Sequence, residues 1–173
     1  MLNPNSKQTH FDDESQPHVL SDINPFINAA NPLLILMIQI KHCNTKPDIS
    51  KLHQQIVNEL QLFEKKIRHL NYPERAVLAA RYCLCTAIDE SVLRTSWGTK
   101  TMWLQHSLLN LFHNESFGGE RFYTIVENMA QQPRDNLALL ELLYLSLSLG
   151  FEGKFYDQDQ VIREEVRNRL LQR

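Results

Sequence analysis

The sequence predicts an all-α protein of about seven to eight helices, and three observations lead there. Apolar residues recur at helical spacing in segment after segment, and no segment sustains the apolar–polar alternation of a half-buried strand. All five glycines fall at three places: Gly98, the pair Gly118-Gly119, and Gly150 with Gly153. Glycines gathered this way mark joints between helices, because a helix end takes up conformations that a Cβ resists.

Residues 1–23 are rich in Asn, Gln, Asp and Ser, with too few apolar side chains to offset the entropy of ordering them. They are expected to form a mobile polar arm ahead of one helical domain spanning 24–173. Asn24-Pro25 and Asn31-Pro32 both have the cap-then-proline form that opens a helix, and the apolar run after them lasts to about Cys43. Pro32 either kinks this helix or restarts it. Ile49, Leu52, Ile56, Leu60, Phe63, Ile67 and Leu70 follow at spacings of 3, 4, 4, 3, 4 and 3, one face of a long amphipathic helix. The chain is redirected at Asn71 to Glu74, and the stretch from Arg75 to Leu93 is apolar nearly all round, as a central helix should be.

A helix at about Met102 to Phe112 presents Trp103, Leu104, Leu108, Leu111 and Phe112 as its apolar members. After the glycine pair, Glu120 to Ala130 carries Phe122, Ile125, Val126 and Met129 at helical spacing. Residues Pro133 to Asp135 cap the next helix, Asn136 to Leu149, which Gly150 closes. Asp157 or Asp159 can cap a last helix holding Val161, Ile162, Val166, Leu170 and Leu171.

Composition narrows the function. A net charge of -2 gives no electrostatic reason to bind nucleic acid or an anionic membrane surface. Three cysteines are an odd count, and Cys83-Leu84-Cys85 lacks the two-residue spacer of redox or zinc pairs, which fits a reducing compartment. No signal peptide is visible at the start, and nowhere do 18 apolar residues run together as a spanning helix needs. There is no glycine-rich phosphate loop and no serine elbow, so neither a cofactor nor a small-molecule substrate is expected.

Chemistry-bearing residues concentrate in "HNESFGGERF", residues 113–122. His113, Glu115 and Glu120 could be drawn as the ligands of a metal-dependent hydrolase, but they lack the i, i+4 spacing of a helical zinc pair. The structural alternative is favoured. In it, Gly118-Gly119 ends one helix and opens another, Glu120 sits at the positive end of the new helix, and His113 and Glu115 brace the corner. Asp89 and Glu90 are adjacent on a helix and point about 100° apart, so they cannot act as a facing catalytic pair. Glu90 can pair with Arg94, and Asp89 is expected to bond to a neighbouring helix end or to Arg81, since a buried unpaired carboxylate is costly. The functional alternative places both acids in a cleft that receives a basic partner. Glu141, within an otherwise apolar helix, either snorkels to the edge or meets a cation.

Four stretches taken in order resemble the DotU family, also called IcmH or TssL. They are "NPFINAANPLLILM", "ARYCLCTAIDESVLRTSWG", "WLQHSLLNLFHNESFGGERFY" and "LLELLYLSLSLGFEGKF". The family supplies an inner-membrane component of type VI secretion systems and of related Dot/Icm type IV systems. The resemblance implies two small helical bundles in a hook-like arrangement, a C-terminal membrane helix beyond the cytoplasmic domain, and a non-enzymatic role. It also implies an IcmF-like membrane partner (TssM in type VI systems) and contact with the cytoplasmic baseplate. A homodimer stays open. Asp89 and Glu90 fall on the family's A-x-D-E motif, and His113, Glu115, Gly118, Gly119 and Glu120 on its H-x-E-x-x-G-G-E motif. Partner binding is accordingly expected at Asp89, Glu90 and Glu141, with Gly150 and Gly153 as further structural joints. The sequence ends at Arg173 without a spanning segment, so it is expected to be the cytoplasmic part of an anchored protein. Arg163, Arg167, Arg169 and Arg173 would then form a basic flank at the inner face of the membrane.

Overall fold

Asn24 opens the first helix. Its side-chain oxygen accepts the Phe26 N–H at 2.8 Å, while its amide nitrogen donates to the Ala138 carbonyl at 2.9 Å and to Glu141 at 2.5 Å. One residue thus caps α1, Pro25–Lys41, and ties it to a helix more than a hundred residues away. Pro32 neither stops nor restarts α1, which runs through it. The computed structural model describes residues 24–156 and 160–172, and the predicted arm, Asp157, Asp159 and Arg173 lie outside them.

Asp48 caps α2, Ile49–His69, by accepting the Lys51 N–H at 3.1 Å. The predicted apolar face is buried at Ile49, Ile56, Leu60, Phe63 and Ile67. Leu70 lies just past the helix end and is exposed. Asn71, with φ 59°, turns the chain out of the helix in the left-handed conformation that asparagine tolerates. There Tyr72 packs edge-on against Phe26, with ring centroids 4.5 Å apart.

The central helix is α3, Glu74–Leu93, buried on nearly every side as its composition predicts. It packs against α1, α2, α4, α5 and α6. Ile88, Leu84 and Val77 are wholly enclosed, and each such side chain contributes about 1.5–3 kcal/mol through the water it leaves. One contiguous core runs from Phe26 to Phe151.

The helix expected at 102–112 is shorter. Met102–Leu104 forms a single 3-10 turn, Ser107 accepts the Asn110 N–H at 3.2 Å, and α4 spans only Leu108–His113. The reason lies in α3: the Trp103 indole is held by Asp89, and so are the first N–H groups of α4, so the chain breaks between them. Leu104 and Leu111, expected in the core, are more than half exposed. Next come α5, Gly119–Ala130, and α6, Pro133–Ser148, joined where the Asn136 amide donates to Met129 and Gln132 carbonyls. A 3-10 turn at Gly153–Phe155 leads to α7, Gln160–Leu171, which packs on α6. The described residues form seven α-helices and no strands. None of these helices is long and apolar enough to cross a membrane.

Candidate functional site

Asp89 stands in the last turns of α3 with its carboxylate aimed at the start of α4. One oxygen accepts the Trp103 indole N–H at 2.8 Å and the Leu108 N–H at 2.9 Å, and the other accepts the Leu109 N–H at 2.9 Å. It is the cap of a neighbouring helix; Arg81 instead pairs with Glu64, at 2.9 Å and 3.0 Å to its two oxygens. Burial pushes the Asp89 carboxyl up to about 6, against the pull of the three N–H donors.

Glu90 does the same work one helical step round. Its two oxygens accept the Glu152 N–H at 2.9 Å and the Gly153 N–H at 2.8 Å, and Arg94 approaches at 3.5 Å. Burial raises its pKa and the two N–H donors oppose the rise. Glu152 in turn pairs with Arg94 at 2.6 Å and with Arg163 of α7 at 2.6 Å. The adjacent acids of α3 therefore clamp two separate loops, and the roughly 100° between them aims one at each.

The 113–120 corner fills the space between those loops. His113 Nε2 accepts from the Arg81 guanidinium at 3.3 Å, and its ring meets Tyr82 edge-on. Burial first, and then the Arg81 charge, hold the imidazole down at about 4, so it is neutral near pH 7. Glu115 accepts the Tyr82 hydroxyl at 2.6 Å and pairs with Arg121. Asn114, φ 54°, ends α4. A Cβ on Gly118 would lie 2.3 Å from Thr86 Oγ1, so α5 can approach α3 this closely only with glycine there. Gly119 abuts Gly153, whose φ of 55° and contact with Glu90 shape the facing loop. Gly150, φ 101°, turns the chain at the end of α6.

His113, Glu115 and Glu120 thus point to different tasks. The first two are held by α3 and α5 residues, and exposed Glu120 lies in the first turn of α5. Among the described residues no group of His, Cys, Asp and Glu is arranged to hold a metal ion. Cys83 and Cys85 are buried thiols, raised far above the ordinary range by desolvation.

A cleft of about 770 Å3 opens between α3, the corner and the Gly153 loop, lined among others by Asp89, Glu90, Leu104, Phe117, Glu120 and Tyr156. Both predicted acids border it. Their oxygens already accept from backbone N–H groups, with the Trp103 indole also on Asp89 and Arg94 beside Glu90, so the carboxylates expected to receive a partner are engaged within the molecule. Three large apolar side chains face solvent there, Phe117 at 92% exposed, Leu104 at 57% and Tyr156 at 59%, beside exposed Ser116, Glu120 and Lys154. Glu141 is elsewhere, exposed beside Asn24, and does not line the cleft. Periodicity could not reveal Phe117, because it sits in a turn. The signal present was a phenylalanine among polar and glycine residues with no core face to join.

The predicted basic flank on α7 is largely matched within the molecule. Arg163 meets Glu152, Arg167 meets Glu164, and Arg169 lies 3.7 Å from Glu165.

The family model of the type VI secretion system protein DotU matches residues 25–173. Nothing matches among curated proteins. The crystal structure of TssL from Vibrio cholerae is 37% identical, with a TM-score of 0.78, over 86% of this chain and 94% of that one. The cytoplasmic domain of TssL from Acinetobacter baumannii shares the fold at 23% identity and a TM-score of 0.80, over 87% of this chain and 96% of that one. So does SciP/TssL from enteroaggregative Escherichia coli 042, at 24% identity and a TM-score of 0.76, over 87% of this chain and 88% of that one. With the match spanning the helical domain from α1 onward, the chain belongs to the DotU family of type VI secretion system proteins.

Proposed function

We propose that this chain is a non-enzymatic structural subunit of a type VI secretion membrane complex, held at the cytoplasmic face of the inner membrane beside an IcmF-like protein. In this reading it docks the cytoplasmic baseplate through the cleft at the 113–120 corner. Family membership supports the structural role. The observation that carries the docking role is Phe117, 92% exposed over a cleft in which Asp89 and Glu90 already have their hydrogen bonds. A large aromatic held open to water is suited to anchor an interface, since a partner gains from its burial.

The carboxylates then act as builders of the cleft. Asp89 fixes the α4 wall and Glu90 the Gly153 wall, while Phe117, Leu104 and Tyr156 supply the contact. The test is binding of purified baseplate components from the same system to the Phe117→Ser and Leu104→Ser variants. An anchor residue is worth about 2 kcal/mol or more, so affinity should fall roughly 30-fold while the melting temperature holds. Wild-type affinity in both folded variants would refute the cleft as the docking site.

A further inference from the structure

Alone among the seven described helices, α7 has no buried residue. Val166 and Leu170 are partly sunk against the core, while Val161, Ile162 and Leu171 stay in water. The packing under the helix is incomplete. A pocket of about 170 Å3 is left between α5, the Gly153 turn and α7, with Tyr123, Val126, Phe155, Val166 and Leu170 in its lining. The Arg167 Nε is buried and finds no hydrogen-bond acceptor among the described residues. Unfilled apolar space and an unsatisfied donor both cost free energy in the docked helix, so its packing alone holds it weakly.

Charge supplies the rest of the hold. Arg167 and Arg169 pair with Glu164 and Glu165 of α7 itself, so among the described residues Arg163 to Glu152 is the ion pair that joins the helix to its surroundings. Both side chains are largely withdrawn from water, at 16% and 21% exposed, where salt screens a charge-assisted pair less. Glu152 belongs to the cleft as well. Its backbone N–H donates to Glu90, its other carboxylate oxygen accepts from Arg94 at 2.6 Å, and the Arg94 guanidinium lies 4.4 Å over the Tyr156 ring. One residue therefore fastens the Gly153 wall of the cleft on one side and α7 on the other.

We propose that Glu152 couples the cleft to the last helix, so that docking of α7 and order in the Gly153 wall rise and fall together. Two states carry the coupling: α7 docked, with Glu152 bridging Arg94 and Arg163, and α7 released by local opening. An occupant that tightens the Gly153 wall keeps the Glu152 carboxylate in place for Arg163 and so tightens α7. A pull on α7 loosens the wall, because coupling between two sites is reciprocal. The device depends on no particular occupant and stands even if the baseplate docks elsewhere.

The test is amide hydrogen exchange of the full chain without partners, with the α3 amides reporting global unfolding. R163A should speed exchange along α7 about tenfold, the loss expected of one charge-assisted bond, and should also speed the Glu152 and Gly153 amides. Glu90 bonds to no residue of α7, yet E90Q should speed α7 exchange beyond any change in α3. In the R163A background the same E90Q substitution should add little at α7, because the link is already cut. An E90Q effect on α7 that is absent, or equal in the two backgrounds, would overturn the proposal. Should E90Q not fold, E90D, which draws the carboxylate back from both N–H groups, gives the same comparison with the same two outcomes.

Discussion

At the scale of single residues, the same physical rule reads differently at Asp89 and His113, and pH separates them. Burial raises the Asp89 carboxyl from 3.8 to about 6. The folded state therefore holds the proton more tightly, and the stability this adds at low pH is lost as pH rises from about 4 through 6. For His113 the folded value falls from 6.5 to about 4, so the unfolded chain binds the proton more tightly, and its contribution is lost as pH falls through the same window. Urea unfolding between pH 4 and 7 should show Asp89→Asn removing a downward slope with pH and His113→Gln removing an upward one. Identical profiles for the two variants would contradict this pairing of roles. Asp89→Asn should also cost about 1–3 kcal/mol at neutral pH, because an amide cannot accept from all three N–H donors. The importance of Asp89 was legible in the sequence as a carboxylate in an apolar helix. Which helix end it caps was not, because Trp103, Leu108 and Leu109 meet it only after the chain folds back.

At the scale of elements, long periodic segments were the most legible. Ile49 to Ile67 forms the predicted face of α2, and Arg75 to Leu93 became the enclosed α3. The segment at 102–113 misled because its apolar spacing was helical, whereas tertiary bonds to Asp89 divide it into a turn and a short helix. The glycine joint is a tight contact between elements. Gly118→Ala would bring a methyl group 2.3 Å from Thr86 Oγ1 and 2.9 Å from Thr86 Cγ2. Crowding of this kind costs about 1–3 kcal/mol, and in a domain of this size each kcal/mol lowers the melting temperature by roughly 2–4 °C. Adding Thr86→Ala removes both offending atoms, so the double variant should melt closer to Thr86→Ala alone than Gly118→Ala does to wild type. Additive losses in calorimetry would show that the contact does not set the joint.

At the scale of the whole molecule, α3 is the beam from which two walls are hung, one by Asp89 and one by Glu90, and the corner closes the space between them. The motif residues that the sequence singled out build this frame, while its exposed apolar surface comes from Phe117, Leu104 and Tyr156, which stand where the frame leaves them. In the proposed docking role, function on this scale is a matter of what touches the cleft. The most direct measurement places a photo-crosslinking amino acid at position 117 in a secreting cell, with a second placed at exposed Ile35 on α1 as control. Docking predicts that position 117 crosslinks to a baseplate component and position 35 does not. A machine that assembles and secretes while position 117 captures no baseplate component would contradict it.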